Sequence, residues 1–304
     1  METIAVPESL GGERIDRALA LLFDISRSEA LTLIANGNVC VQGRSNVAKS
    51  LRLSPGDLIE IHEPLLSSRF ELQPRADLNV DILYYDSDVV VVNKAAHQVV
   101  HPGSGHERDT VVAVLLAKFP EMAKINCDPL RPGVVHRLDK GTSGVMVFAL
   151  CQRSFEALSL DVRTHVFSRR YIALVEGHLE SRFGLIEAPI GRSIRNSKKM
   201  EVSSGGKEAR TRFEVLERFE SPRSATLISV TLETGRTHQI RVHLAGLGHS
   251  VVGDEVYGKG DEVLKRPFLH SETLMFNHPV TQEPMTFTAP LPDDLRERLA
   301  AFSG

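Results

Sequence analysis

Apolar residues along the chain follow two different periods, and each predicts a different element. Ile15, Leu19 and Leu22 fall at i, i+4 and i+7, the spacing of one helical face. Ser26-Arg27-Ser28-Glu29 reads as a capping box that opens a second helix carrying Ala30, Leu31 and Ile34, with Gly37 ending it. The period then shortens to two. Val39 and Val41 alternate as a strand, Gln42-Gly43 turns, and Pro55-Gly56-Asp57 leads into a strand from Leu58 to Ile61. Residues 1–63 are therefore expected to form a module of their own. Residues 64–75, with Ser67, Ser68 and Pro74, show no period and are expected to be a linker and hinge.

Residues 76–304 are expected to form a second domain of α+β class. Short apolar strands are predicted at Ile82–Tyr84, Val89–Val92, Val134–Val135, Val145–Leu150, Tyr171–Glu176, Thr211–Val215 and Ala225–Leu232. Phe155, Leu158, Val162 and Val166 mark a helix between them. The connections are too short for repeated crossovers, so the expectation is a mixed, largely antiparallel central sheet flanked by helices. Thr237 to Leu247 is read as a helix, with Arg236, Ile240, His243, Leu244 and Leu247 on one face and Gly248 at its end. On that reading Arg236 lies in the first turn, with Ile240 one turn later.

Composition narrows the class. With 42% hydrophobic and 25% charged residues over 304 positions the chain is an ordinary globular protein. No apolar run reaches the ~20 residues needed to span a bilayer. The N-terminal M-E-T-I-A-V-P lacks the basic-then-apolar progression of a signal peptide. Cys40, Cys127 and Cys151 are odd in number and widely spaced, which fits a reducing, cytoplasmic setting better than a disulfide framework. A net charge of −3 argues against strong overall attraction to nucleic acid. Its distribution argues the other way: between Arg192 and Arg212 seven cations (Arg192, Arg195, Lys198, Lys199, Lys207, Arg210, Arg212) meet only Glu201 and Glu208. Residues 1–75 carry eight cations and ten anions, so an RNA grip there would depend on the placement of Arg14, Arg27 and Arg44.

The stretch with most chemistry is Gly133 to Gly144, G-V-V-H-R-L-D-K-G-T-S-G. It places one carboxylate, Asp139, among His136, Arg137 and Lys140 and follows it with a small-residue turn, as for an acid delivered from a strand end into a pocket. Other machinery lacks support. The Gly-Thr-Ser-Gly run does not have the order of a phosphate-binding loop, and no G-x-G-x-x-G or G-x-S-x-G occurs. His238 and His243 are five apart, off the shared helical face that an i, i+4 metal pair needs, so no metal site is expected. A glycosidase would need a second acid in comparable context.

H-R-L-D-K-G-T-S-G (136–144), R-R-Y-I-A-L-V-E-G (169–177), G-G-K-E-A-R-T (205–211), T-G-R-T-H-Q-I-R-V-H-L (234–244), V-G-D-x-x-Y-G (252–258), V-N-K-x-x-x-x-V-V-H-P-G (92–103) and L-H-x-x-x-L-x-F-x-H-P (269–279) resemble the ordered motifs of the RluA family of RNA pseudouridine synthases. In front of them, R-x-D-x-x-L (14–19), S-R-S (26–28), G-x-V-x-V-x-G (37–43) and G-D-x-I (56–59) resemble the S4 RNA-binding fold. Gln42 stands where that fold usually has Asn, Ala95 where the family usually has Pro, and the segment from Tyr257 to Leu269 is short. The resemblance implies isomerisation of uridine to pseudouridine without a cofactor, on ribosomal RNA of the large subunit or its assembly intermediate. It implies Asp139 as nucleophile, Arg236 as its guanidinium partner, Tyr171 stacked on the uracil and Ile240 in the pocket wall. Arg137 is implied to support a flipped base, and His136, Lys94, Arg192 and Lys207 are expected among the substrate-binding residues. A monomer is expected. The alternative from another class is a non-catalytic S4-type RNA-binding or ribosome assembly factor.

Overall fold

The computed structural model describes residues 2–303 except 24, 26, 46, 63–71, 104–107, 126–127, 194–195 and 197–198. The chain divides into two units, Met1–Glu71 and Leu72–Gly304.

In the first unit, strand β1 (Glu2–Ala5) is followed by helices α1 (Ile15–Leu22) and α2 (Arg27–Ala35), then by strands β2 (Val39–Val41) and β3 (Leu58–Ile61). The two predicted helices and two predicted strands are present. The capping residue Ser26 lies outside the described residues. The strands form an antiparallel sheet in the order β1-β3-β2, and Ile15, Leu19, Ile34, Val39, Val41, Ile59 and Ile61 make one buried cluster between sheet and helices. Gln42 and Gly43 both have positive φ (51° and 74°), and Val41 and Arg44 exchange backbone hydrogen bonds across them. That turn favours Asn or Gly for steric reasons, so Gln42 sits in a backbone conformation its side chain does not favour.

The second unit runs β4 (Asp81–Tyr85), β5 (Val89–Lys94), α3 (Val111–Lys118), β6 (Ser143–Ala149), α4 (Gln152–Arg163), β7 (Ser168–Glu176), β8 (Phe183–Glu187), β9 (Ile190–Arg192), β10 (Met200–Val202), β11 (Arg210–Phe219), β12 (Ala225–Leu232), α5 (Gln239–Gly246), β13 (Leu269–Asn277), β14 (Pro284–Thr288) and α6 (Asp293–Ser303). The large sheet has the order β4-β5-β6-β13-β7-β12-β11-β8, with β14 also on β13. Every pairing in it is antiparallel except β6 with β13, which is the mixed sheet expected. A separate two-stranded ribbon joins β9 and β10.

Strand β5 shows why helices cover both faces. Val90 and Val92 pack with Met146 and Phe148 in one buried cluster, whereas Val89 and Val91 pack with Val145 and Val147 in another. A strand apolar at consecutive positions must be covered on both sides. Helices α3 and α6 contribute to the first cluster and α4, through Leu158, to the second.

Three local expectations change. Val134–Val135 is not a strand: Val134 makes only an isolated bridge to Phe148. Val166 lies past the end of α4 and is exposed, because the chain turns at Thr164 and His165, the latter with φ 61°. The helix expected over 237–247 is shorter, and Arg236 precedes it. At the start of the unit the Arg75 N–H donates to the Ala113 carbonyl, so this residue is held against α3.

Candidate active site

Asp139 lies in an irregular loop, not at the end of a strand, and several contacts tie that loop along β6. Gly133, at φ 69°, lets the backbone pass so close to Ala149 O that a Cβ there would sit 2.3 Å from it. His136 Nε2 accepts the Val147 N–H (3.2 Å), and the Thr142 N–H donates to Asp139 O to close the turn. Gly144 (φ 118°) passes against the backbone of Ser271 on β13 at the parallel pairing, where a Cβ would meet Ser271 O at 2.1 Å. The predicted turn is thus a place where backbone must touch backbone.

Asp139 faces a pocket lined with Arg137, Leu138, Thr142, Tyr171, Ile240, Leu269 and Arg241. Its Oδ2 accepts from Arg241 Nη1 at 3.0 Å. The same guanidinium makes a bidentate pair with Asp254, from Nε to Oδ2 (2.7 Å) and Nη2 to Oδ1 (2.9 Å). Asp254 has no exposed surface and also accepts the N–H groups of Val256 and Tyr257. Burial by itself would raise its pKa; Arg241 overcomes that and holds the carboxyl below the usual range. A buried guanidinium shared by two carboxylates is fixed in place, so Arg241 presents Nη1 to Asp139 at a set distance. No hydrogen bond reaches Asp139 Oδ1 among the described residues.

The guanidinium partner is therefore Arg241 and not Arg236. Arg236 does line the pocket, but it is exposed and its Nε donates to Glu208 O. The physical reason is where the helix starts. Gln239 closes the preceding turn by accepting from the Arg236 N–H and from Thr234 Oγ1, so α5 begins at Gln239 and Arg241 is the cation turned inward. Every residue from Gln239 to Leu244 is buried, and a buried guanidinium needs a charged partner. Its identity depends on Asp254, which sequence does not place.

Tyr171 and Ile240 both line the pocket, each 4% exposed. Burial pushes the Tyr171 phenol up, so it stays neutral at physiological pH. Arg137 is exposed at the pocket, and its Nη1 lies 3.4 Å from His101 Nε2. His101 Nδ1 bonds the Pro102 carbonyl at 2.9 Å. A carbonyl only accepts, so Nδ1 carries the proton and Nε2 offers its lone pair to Arg137. Arg169, two residues before Tyr171 on β7, is 4% exposed, and its Nε has no hydrogen-bond partner among the described residues; its guanidinium lies over the Phe167 ring at 5.7 Å. Sequence reading gave no role to Arg169, Arg241, Asp254 and His101 and weighed His238 only as a metal ligand, although all five lie inside the matched motifs.

Other expected residues are elsewhere. His136 is buried under the loop, against Phe167, and burial drives its imidazole down to about 3; it anchors the loop and does not face the pocket. Lys94 is wholly buried, with Nζ donating to Ala95 O (2.8 Å) and Gln98 O (2.9 Å) and lying 3.5 Å from Lys140 O. It supports the Asp139 loop from below, in a cavity that it lines with Ser143, Arg266 and His270. Both are drawn inward because buried backbone groups need partners: the Val147 N–H of β6 for His136, and chiefly the Ala95 and Gln98 carbonyls for Lys94. Arg192 and Lys207 are exposed at the β9–β10 ribbon, outside the pocket lining. The local cationic excess is also smaller than the linear sequence suggests, because Arg210 meets Glu187 at 2.9 Å and Arg212 pairs with Glu233 at 2.5 Å. Asp86, Asp88 and His278 gather in a cluster, but Asp88 accepts from Arg153, Ser154 and Ser87 and Asp86 from Tyr84 and two backbone N–H groups. This cluster ties β5 to α4 and offers a cation few free lone pairs.

In the first unit Arg14 Nε and Arg27 Nε donate to the two oxygens of Asp16, at 3.0 and 2.9 Å. Asp16 is 2% exposed, while the arginine side chains are 44% and 59% exposed.

Residues 88–246 match the family model described as RNA pseudouridylate synthase, and residues 13–59 match the S4 domain. An uncharacterized RNA pseudouridine synthase of Bacillus subtilis is 40% identical over 296 residues, covering 97% of this chain and 95% of that one. The ribosomal large subunit pseudouridine synthase D of Xanthomonas campestris is 40% identical over 312 residues, covering 98% and 91%. The solved structure of human RNA pseudouridylate synthase domain containing 1 superimposes with a TM-score of 0.56 at 28% identity, covering 72% of this chain and 86% of that one.

Proposed function

The chain belongs to the RNA pseudouridine synthase family and isomerises uridine in RNA, and on that premise we propose that its substrate is large-subunit ribosomal RNA and that Asp139 is its nucleophile. The observation that carries the reading is the Asp139–Arg241 pair at 3.0 Å in a pocket walled by Tyr171 and Ile240. The isomerisation breaks the N1–C1′ bond and makes a C5–C1′ bond. It involves no net redox change and no hydrolysis, so a nucleophile suffices and no cofactor is called for. A carboxylate that forms a covalent intermediate divides one hard step into two easier ones. Arg241 anchors that carboxylate by Oδ2 and returns it to the same position after each turnover.

Tyr171 stacks on the uracil. Because its phenol is neutral, it handles the C5 proton as a relay, gaining one as it gives one up. The target uridine leaves its stack to reach Asp139, at a cost of a few kcal/mol, and Arg137, held by His101, supports the flipped arrangement. Arg14 and Arg27, aimed by Asp16, meet RNA phosphates, as do Arg192 and Lys207 on the ribbon. The large-subunit assignment rests on the relatives that carry that name and on the S4 domain in front of the catalytic unit. Cys40 and Cys151 are free thiols, in keeping with action in the cytoplasm.

The test is pseudouridine mapping of total RNA, large-subunit RNA included, from cells carrying the protein, lacking it, or carrying Asp139→Asn. Sites present only with the unaltered protein are expected. Normal modification by the Asn variant would overturn the nucleophile, and modification confined to other RNAs would overturn the substrate. A non-catalytic assembly factor would leave the map unchanged in all three.

A further inference from the structure

His238 sits at the N-cap of α5 with left-handed backbone (φ 56°, ψ 20°), a conformation costly for a residue other than glycine and found where the surroundings hold it in place. Its ring lines the pocket between two partners. Nδ1 is 2.8 Å from Tyr257 Oη, and Nε2 is 3.9 Å from Asp139 Oδ2. The Tyr257 oxygen already accepts the Met200 N–H at 2.9 Å.

Both ring nitrogens constrain the same proton. If Nδ1 carried it, the Tyr257 oxygen would accept twice and its own hydroxyl hydrogen would be left without an acceptor among these groups, while Nε2 would turn a lone pair toward a carboxylate. With the proton on Nε2, Tyr257 donates to Nδ1 and an N–H faces the anion. Burial holds the imidazole below its usual range, so it is neutral and has one proton to place.

We propose, building on the nucleophile reading above, that His238 is a positioning residue: Tyr257 locks it as the Nε2–H tautomer, and that N–H, together with Arg241 Nη1, holds Asp139 by Oδ2. Oδ1 is then the oxygen that meets the substrate. The 3.9 Å separation shortens to a hydrogen bond when a nucleoside fills the pocket and excludes water. Because Met200 opens β10, the lock runs from the ribbon that carries Arg192 to the nucleophile.

The test uses the full chain. Long-range proton–nitrogen spectra of 15N-histidine-labelled protein should show His238 with its proton on Nε2, and Tyr257→Phe should convert it to a mixed population. In steady-state assays Tyr257→Phe and His238→Asn should each lower kcat roughly tenfold with KM for RNA unchanged, the size expected of one hydrogen bond to a charged group. His238→Gln, whose amide reaches the place of Nε2, should keep more activity than His238→Asn. A role confined to the backbone turn predicts the reverse order, because Asn accepts left-handed backbone better than Gln. A proton found on Nδ1, or an Asn variant as active as the Gln variant, overturns the proposal. Absence of pseudouridine formation by the unaltered protein would instead overturn the function itself and leave the tautomer measurement standing.

Discussion

Asp16 in the first unit and Asp139 in the second are both aspartates flanked by arginine, and their surroundings set them to different tasks. Both oxygens of Asp16 are taken, one by Arg14 and one by Arg27, and the carboxylate is buried while the guanidiniums reach solvent. At Asp139 the burial is inverted. Arg241 is enclosed, with 7% of its side chain exposed, and the carboxylate is the more open partner at 18%. Only Oδ2 of Asp139 is engaged among the described residues. A saturated carboxylate aims cations outward; a carboxylate with one unoccupied oxygen, anchored from behind, can react.

Exchanging Asn for Asp at each position should separate these tasks. Asp139→Asn should lower pseudouridine formation by at least roughly a thousandfold while RNA binding persists, since removing a nucleophile costs far more than removing its helpers. Asp16→Asn should leave turnover at saturating RNA near that of the unaltered protein and weaken binding. The log–log salt slope of binding should flatten by roughly one to two units as Arg14 and Arg27 lose their aim. A large fall in kcat from Asp16→Asn, with binding unchanged, would break the contrast.

Next in size is the pair Arg241→Ala and Arg236→Ala. Removing Arg241 leaves Asp254 buried without its cation, for which the expected loss of stability is about 3 to 5 kcal/mol, and activity should fall with it. Arg236 is exposed and bonded to one carbonyl, so its removal should change stability by less than about 0.5 kcal/mol. Equal thermal shifts for the two variants would show that the inward cation is misassigned.

The smallest effect expected is on the pH dependence of stability. Burial holds the imidazoles of His101, His136, His238, His243 and His270 below their usual range. An unfolded histidine takes up its proton near pH ~6.5, before these do, so the unfolded state binds more protons as pH drops below that value. Stability is complete above it and falls toward acid. The melting temperature of the catalytic unit should drop by at least about 2 to 4 °C between pH 7.5 and 5, the equivalent of ~1 kcal/mol for a unit of this size. A melting temperature that holds or rises over that range would show that these rings are not enclosed as described.

Local period made much of the fold legible. Leu58–Ile61 is a strand and Ile15–Leu22 a helix because alternating or i, i+4 apolar positions can face a core in only one of those forms. The Asp139 loop, Tyr171 and Ile240 were legible from their motifs, and the pocket gathers all three. What misled were residues whose chemistry looked alike in one dimension. In one dimension His136, Arg137 and Lys140 read as three cationic side chains beside Asp139, yet His136 is neutral and turns under the loop to accept the Val147 N–H. Lys94 is one more cation in a motif until its ammonium is found enclosed among carbonyls, with burial pushing it down to about 7.

The sequence by itself determined many of the elements, the α+β class, and the candidacy of Asp139, because these depend on neighbours within a few residues. Which arginine meets that aspartate was decided only in three dimensions. Arg236 and Arg241 are five residues apart and chemically equivalent, and the choice between them rests on Gln239 closing a turn and on Asp254 lying buried beneath α5. The same holds for the cationic stretch 192–212, where Glu187 and Glu233, distant in the chain, partly offset Arg210 and Arg212 of β11. A charge inside a fold takes its role from whatever partner desolvation forces upon it, and that partner is set by packing, not by proximity in the chain.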